Sequence, residues 1–183
     1  MTSMSFLEHL DGTGLRDCFD FWVARRDGRR PPQKKEINPS QMPHPIMPNL
    51  FLYELTPENR FRCRLAGSAI RQAFGVEPTG RYLDDLVHLT SAVNRTALFR
   101  AVLEKELPLV YGGKLAEGEK LWMPFKRLLL PVVDEHQQGR FVFGMVIFLG
   151  AFNENNSPST ELSNEFEVWA SADDLAARPV APN

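Results

Sequence analysis

The sequence predicts an α+β domain, in which a β-hairpin leads into short helices and then into three further strands. Three patterns carry that expectation. Residues 50–55 and 60–66 are strand-like runs separated by the turn-forming Thr56-Pro57-Glu58-Asn59, and Phe61, Cys63 and Leu65 alternate with Arg60, Arg62 and Arg64. Alternation with a period of two marks a strand with one face buried. Residues 140–152 are almost continuously apolar, the composition of a strand covered on both faces and therefore central in its sheet. Upstream, Leu15, Cys18, Phe19, Trp22 and Val23 fall at i, i+3, i+4, i+7 and i+8, which places one apolar stripe along a helix over residues 14–27.

Taken in order, residues 1–12 are expected to be loose. Thr13 or Asp11 can cap the first helix, and Gly28 lies just past its end. Pro31-Pro32, followed by four prolines within residues 38–48, predicts an extended, non-helical connector. After the hairpin, Ser68 can start a short helix that runs to Phe74, and residues 82–86 suggest another turn. Ser91 opens a longer helix to Glu106, ended by Pro108. Residues 109–115, 120–134 and 140–152 then read as strands three to five. Pro131 interrupts the fourth, and a residue with no N–H belongs where the strand has a free side. Beyond Asn153 the chain is polar and acidic, and reads as a tail with a short helix near residues 161–170. The domain organisation is accordingly 1–48 (helix and connector), 49–152 (domain) and 153–183 (acidic, partly disordered tail).

Length and composition suit one domain with appendages. The chain has 183 residues, 43% hydrophobic and 24% charged, with a net charge of −2, ordinary values for a globular protein. They argue against a general binder of nucleic acid or membranes. Charge is uneven: residues 153–183 carry −5, leaving +3 for residues 1–152. Cys18 and Cys63 have neither paired nor metal-ligand spacing. Residues 1–10 lack the basic and apolar regions of a signal peptide, and no apolar run reaches the length of a membrane span. A reducing cytoplasm is the expected location.

The segment Phe61-Arg62-Cys63-Arg64-Leu65-Ala66-Gly67 resembles the Phe-Arg-x-Arg-Leu-Ala-Gly signature of a bacterial PAS family of small proteins. The resemblance extends over roughly residues 14–152. It implies a PAS fold: a five-stranded antiparallel sheet of order 2-1-5-4-3, short helices on one face and an N-terminal flanking helix. It also implies a cavity between helices and sheet, lined by aromatic residues. The ligand-binding set it suggests is Tyr53, Phe61, Phe99, Trp122 and Phe143, to which the alternation of Arg64 with core positions adds a partner for an anionic group. Some PAS domains hold haem through a histidine near the long helix, and His88 is the one candidate. The flavin-photoreceptor branch uses a cysteine after the second strand, where Ser68–Phe74 has none. No cofactor is therefore assigned.

Other motifs have mundane readings. Gly12-Thr13-Gly14 lacks both the preceding strand and the third glycine of a dinucleotide loop. His9, His44, His88 and His136 lie singly, not as a converging metal set. Asp84 and Asp85, adjacent on a helical turn, diverge and read as solvated surface. Arg25, Arg26, Arg29, Arg30, Lys34 and Lys35 suit a solvated helix end. Arg62 and Arg64 alternate with core positions, so they either reach solvent along the strand or turn one guanidinium inward.

The functional expectation is a stand-alone sensory and interaction module that binds a small apolar or anionic molecule, a partner signalling protein, or both. Self-association is expected through Leu15, Phe19, Trp22 and Val23, an apolar stripe that a second copy could cover. The alternative is an enzyme or carrier using the same cavity, which would need an acid/base set that the sequence does not display.

Overall fold

The computed structural model describes residues 4–26, 28, 30–86, 89–117, 121–149 and 166–176, and for 89–94, 114–117 and 121–123 the backbone alone. Six strands form one antiparallel sheet in the order β2-β1-β5-β4-β3-β6. They are β1 (Leu50–Leu55), β2 (Phe61–Ala66), β3 (Leu109–Glu117), β4 (Leu121–Val133), β5 (Gly139–Phe148) and β6 (Phe166–Trp169). The expected order 2-1-5-4-3 is present and is extended by one strand at the β3 edge.

The strand β5 is central, as its apolar run requires, pairing β1 on one side and β4 on the other. Pro131 lies on the part of β4 that outruns β3. The β3–β4 ladder ends at Leu109↔Leu129, while Pro131 pairs with Val142 of β5 alone. Its carbonyl accepts a hydrogen bond from Trp22 Nε1 at 2.8 Å. Beyond it, Val133 donates its N–H to Pro32 O, so the connector closes this stretch of edge.

Helices cover both faces of the sheet. On the first face lie α1 (Phe6–Leu10) and α2 (Gly14–Val23). Thr13 caps α2 by accepting from Leu15 N, and Leu15, Cys18, Phe19 and Trp22 pack against Leu50, Leu52, Leu128, Leu130 and Phe143. On the second face lie α3 (Ser68–Phe74), a 3₁₀ turn (Leu83–Asp85) and α4 (Leu89–Lys105). A β-bulge after Leu52 leaves Arg64 unpaired, between the pairs Leu52↔Leu65 and Tyr53↔Cys63. Gly67 ends the signature because the chain crosses itself there: a Cβ on it would lie 2.1 Å from Pro48 O. Its N–H bonds to Leu50 O.

Three expectations are corrected. Residues 6–10 are helical, because Ser5 and Glu8 form a reciprocal capping box. The proline-rich connector is helical in short pieces, with 3₁₀ turns at Lys34–Glu36, Pro39–Gln41 and His44–Asn49. Proline at the start of a turn donates no bond that would be needed, and its fixed φ suits that geometry. Finally, residues 166–169 are a strand rather than part of a tail helix. Phe166 lies over Gly112 of β3, where any Cβ would fall 2.2 Å from its ring. A following helix, α5, covers Ala172–Ala176. Residues 150–165 and 177–183 lie outside the described residues.

Candidate functional site

The layer between α4 and the second sheet face differs from an ordinary apolar core. Its aromatic half comes from alternate positions of the hairpin and from α4. Phe51 and Tyr53 of β1 and Phe61 of β2 surround Phe99, with ring centroids 6.2, 5.4 and 5.4 Å from it. All four are buried. Tyr53, Phe61 and Phe99, three of the residues expected to bind a ligand, lie together in this layer. Cys63 lies in the same layer, where burial raises its thiol to about 11 and keeps it protonated at neutral pH.

The other half holds two arginines. Arg127 follows from strand alternation: Phe125, Arg127 and Leu129 point to this face while Leu128 and Leu130 point to the other. Directly across the ladder stands Tyr111 of β3, whose hydroxyl accepts a hydrogen bond from Arg127 Nη1 at 3.0 Å. The Arg127 guanidinium carbon is 5.4 Å from the ring centre of Phe125 and 5.7 Å from that of Phe51, distances at which ring faces attract a cation. Arg95 descends from α4 one turn before Phe99, so both project to the sheet. Arg127 is 4% exposed and Arg95 6%.

Neither arginine has a carboxylate partner among the described residues. Arg95 Nη1 and Arg127 Nε are buried donors without an acceptor among the described residues. Burial lowers the Arg95 guanidinium to about 10, and the nearby charge of Arg127 pushes in the same direction, opposed by Tyr111 and Tyr53. The group still carries its proton at neutral pH. Burying an ion without compensation costs several kcal/mol, so the arrangement is poised to accept negative charge.

Other predicted site residues fall elsewhere. Arg64 stays on the outside of the hairpin, its side chain 48% exposed, and pairs at 2.6 Å with Glu54. Glu54 also accepts from Arg140 Nε at 3.1 Å. Alternation with Phe61 and Cys63, which lie in the aromatic layer, turns Arg64 away from it. Arg62 reaches along the strand to Gly80 O. Phe143 belongs to the first face, beside Phe21 of α2. A doubly buried strand such as β5 shows no alternation from which its facing could be read. Trp122 occupies β4 opposite Ala116, and its side chain lies outside the described residues, as does His88.

The expected dimer stripe is used within the chain. Leu15, Phe19 and Trp22 are at most 1% exposed against their own sheet, with Val23 partly buried beside them. Leu15, Phe19 and Trp22 have no apolar area left to share with a second copy, and Val23 keeps only part of its own. Asp84 and Asp85 are not merely solvated: both accept from Arg60, at 2.9 and 2.7 Å, tying the 3₁₀ turn to β2.

The two arginines were legible in principle. Arg127 keeps phase with Phe125 and Leu129 inside a strand, and Arg95 is four residues before Phe99 on a helix. A cation in phase with a buried face is the signal.

With this geometry, the sequence matches the PAS domain family over residues 11–147, and the chain belongs to that family. PAS domains are sensory and interaction modules. No curated protein matches the sequence. Among solved structures the chain is similar to the PAS domain of Bordetella pertussis BvgS, with 15% identity and a TM-score of 0.47 over 57% of this chain and 79% of that one. It is also similar to a Rhodobacter sphaeroides LOV protein, at 15% identity and 0.45, over 75% and 69% of the two chains. A variant of Vivid gives 15% and 0.45, over 81% and 100%.

Proposed function

We propose that this PAS domain is a sensor that takes a small molecule between α4 and the sheet, and that occupancy changes its association with a partner protein. The observation that carries this reading is the buried pair Arg95 and Arg127, uncompensated among the described residues and set against aromatic rings. A core built only for stability gains nothing from such a pair. A ligand that supplies the missing acceptors stabilises the occupied state by mass action. Partner binding follows by linkage, because a ligand that favours one arrangement of α4 shifts the population that a partner meets.

In this reading the setting is the cytoplasm, where the free buried thiols Cys18 and Cys63 stay reduced. No helix among the described residues is long and apolar enough to cross a membrane. Association would use surface other than the α2 stripe.

Native mass spectrometry of the freshly purified chain tests the proposal. The expected result is a retained small molecule that denaturation releases. Absence of any retained mass, together with no change in melting temperature across a library of small metabolites, would overturn it.

A further inference from the structure

We infer that the molecule taken between α4 and the sheet is an organic carboxylate, its carboxyl group seated between Arg95 and Arg127 and its body against the rings of Phe51, Phe99 and Phe125. The inference rests on the reading of that layer as a ligand site and adds the chemical class.

Charge is the first argument. The layer holds two guanidinium groups and, among the described residues, no acid. The buried carboxylate among the described residues, Glu54, is engaged by Arg64 and Arg140 at the outer end of the hairpin. Among the described residues, the protein thus pairs arginines with carboxylates at its surface and not these two inside it.

Donor geometry is the second. Arg95 Nη1 and Arg127 Nε are unfilled, and guanidinium forks match the two oxygens of a carboxylate better than any single neutral acceptor. Tyr111 adds a third group. Its oxygen already accepts from Arg127 Nη1, which leaves the phenolic hydrogen to donate to a ligand oxygen.

The wall is the third. Phe51, Phe99 and Phe125 are buried and offer no hydrogen bond. Inorganic phosphate needs donors all round and would leave several of its oxygens facing rings. A carboxylate needs them at one end only, and an apolar body satisfies the rest.

The test compares benzoate and hexanoate with benzamide, the neutral counterpart of benzoate, and with inorganic phosphate. Melting temperature and calorimetric titration are read for the wild-type chain at millimolar probe concentration, the range expected of fragments this small. Expected is a concentration-dependent rise in melting temperature with both carboxylates and none with benzamide or phosphate. Arg127→Met and Arg95→Met should each weaken benzoate binding about tenfold or more, the worth of one charge-assisted hydrogen bond. Without ligand, Arg95→Met should melt no lower than the wild type, whereas removing a purely structural arginine lowers the melting point.

Benzamide binding as well as benzoate would overturn the carboxylate while leaving a ligand site in place. A response to phosphate alone would also overturn it, in favour of an inorganic anion. No response to any probe, with no molecule retained in native mass spectrometry, would remove both the inference and the site. If a variant fails to fold, the four-probe comparison on the wild type still decides.

Discussion

The two faces of the sheet are closed in opposite ways. On the first, α2 lays Leu15, Phe19 and Trp22 over Leu128, Leu130 and Phe143, and the tryptophan's one polar atom is spent on Pro131 O. On the second, α4 brings an arginine down onto another arginine, among rings, with donors left over. The first face behaves as a core in which the buried indole is satisfied by the chain itself, with His9 Nδ1 at its α1–β6 end the exception. The second is incomplete by the same accounting, since a buried polar group without a partner costs free energy that the fold does not recover. The proposed ligand site is set apart from the first face by two buried cations without acceptors among the described residues, although helices cover both faces.

The sharpest way to break this contrast is at Trp22. Trp22→Ala removes a fully buried ring and its hydrogen bond, and is expected to destabilise the chain by about 3–5 kcal/mol, measured by urea unfolding. A loss under ~1 kcal/mol would mean that α2 merely leans on the sheet, and the first face would no longer count as core.

The β3 edge sharpens the contrast next. Phe166 stacks on His9 at 4.3 Å between ring centroids and fills the space over Gly112. Phe166→Ala should cost about 2 kcal/mol, the low end for a large-to-small change because the site is only partly buried. Hydrogen exchange should accelerate at Val168 and Ala170 and stay slow in β5. Unchanged protection of both amides would show that β6 holds without its aromatic anchor.

A change of sign on the second face follows. Arg95→Met replaces a buried, uncompensated cation with an apolar chain of similar reach. It should raise unfolding free energy by about 1 kcal/mol, a modest share of the gain seen when buried ions give way to apolar residues. Chemical denaturation of ligand-free protein measures it. A loss of the same size would show that Arg95 is compensated in the folded state, and the two faces would then be alike.

What could be read from the sequence divides along the same line. Elements with strong periodicity were legible: the hairpin from its alternation, α2 from its stripe, β5 from its continuous apolar run, and the free side of Pro131 from chemistry alone. Four-residue β6 was not, because Phe166-Glu167-Val168-Trp169 is too short to separate a period of two from one of 3.6. The helix α1 was announced by Ser5 and Glu8, a capping box whose spacing is a local signal. At the candidate site, Tyr53, Phe61 and Phe99 were legible as one aromatic layer. Phe143 was not, since a strand buried on both faces hides its phase. Arg64 drew attention by alternating with core residues, yet a bulge reversed the parity beyond it. Register is a property of two strands, and one sequence run does not contain it.

The smallest effect concerns pH, and it belongs to the first face, where α1 meets β6. His9 is buried, its Nδ1 without a partner among the described residues, stacked on Phe166, and its backbone carbonyl accepts from Lys126 Nζ at 3.3 Å. Burial lowers its pKa, the charge of Lys126 lowers it further, and Glu8 acts weakly in the opposite sense. The folded chain therefore binds a proton at His9 less readily than the unfolded chain does. Between the depressed folded value and the ordinary imidazole value of about 6.5, the unfolded state holds more protons, so stability falls as pH drops through that window. Other groups also titrate on acidification, which makes the informative quantity a difference. His9→Gln keeps a polar side chain of similar size and cannot titrate. Its unfolding free energy should decline less steeply than that of the wild type between pH 7 and pH 5, with the two curves converging as the histidine penalty grows. Parallel curves over that range would show that His9 gains its proton as easily folded as unfolded, and the α1–β6 contact would then be indifferent to pH.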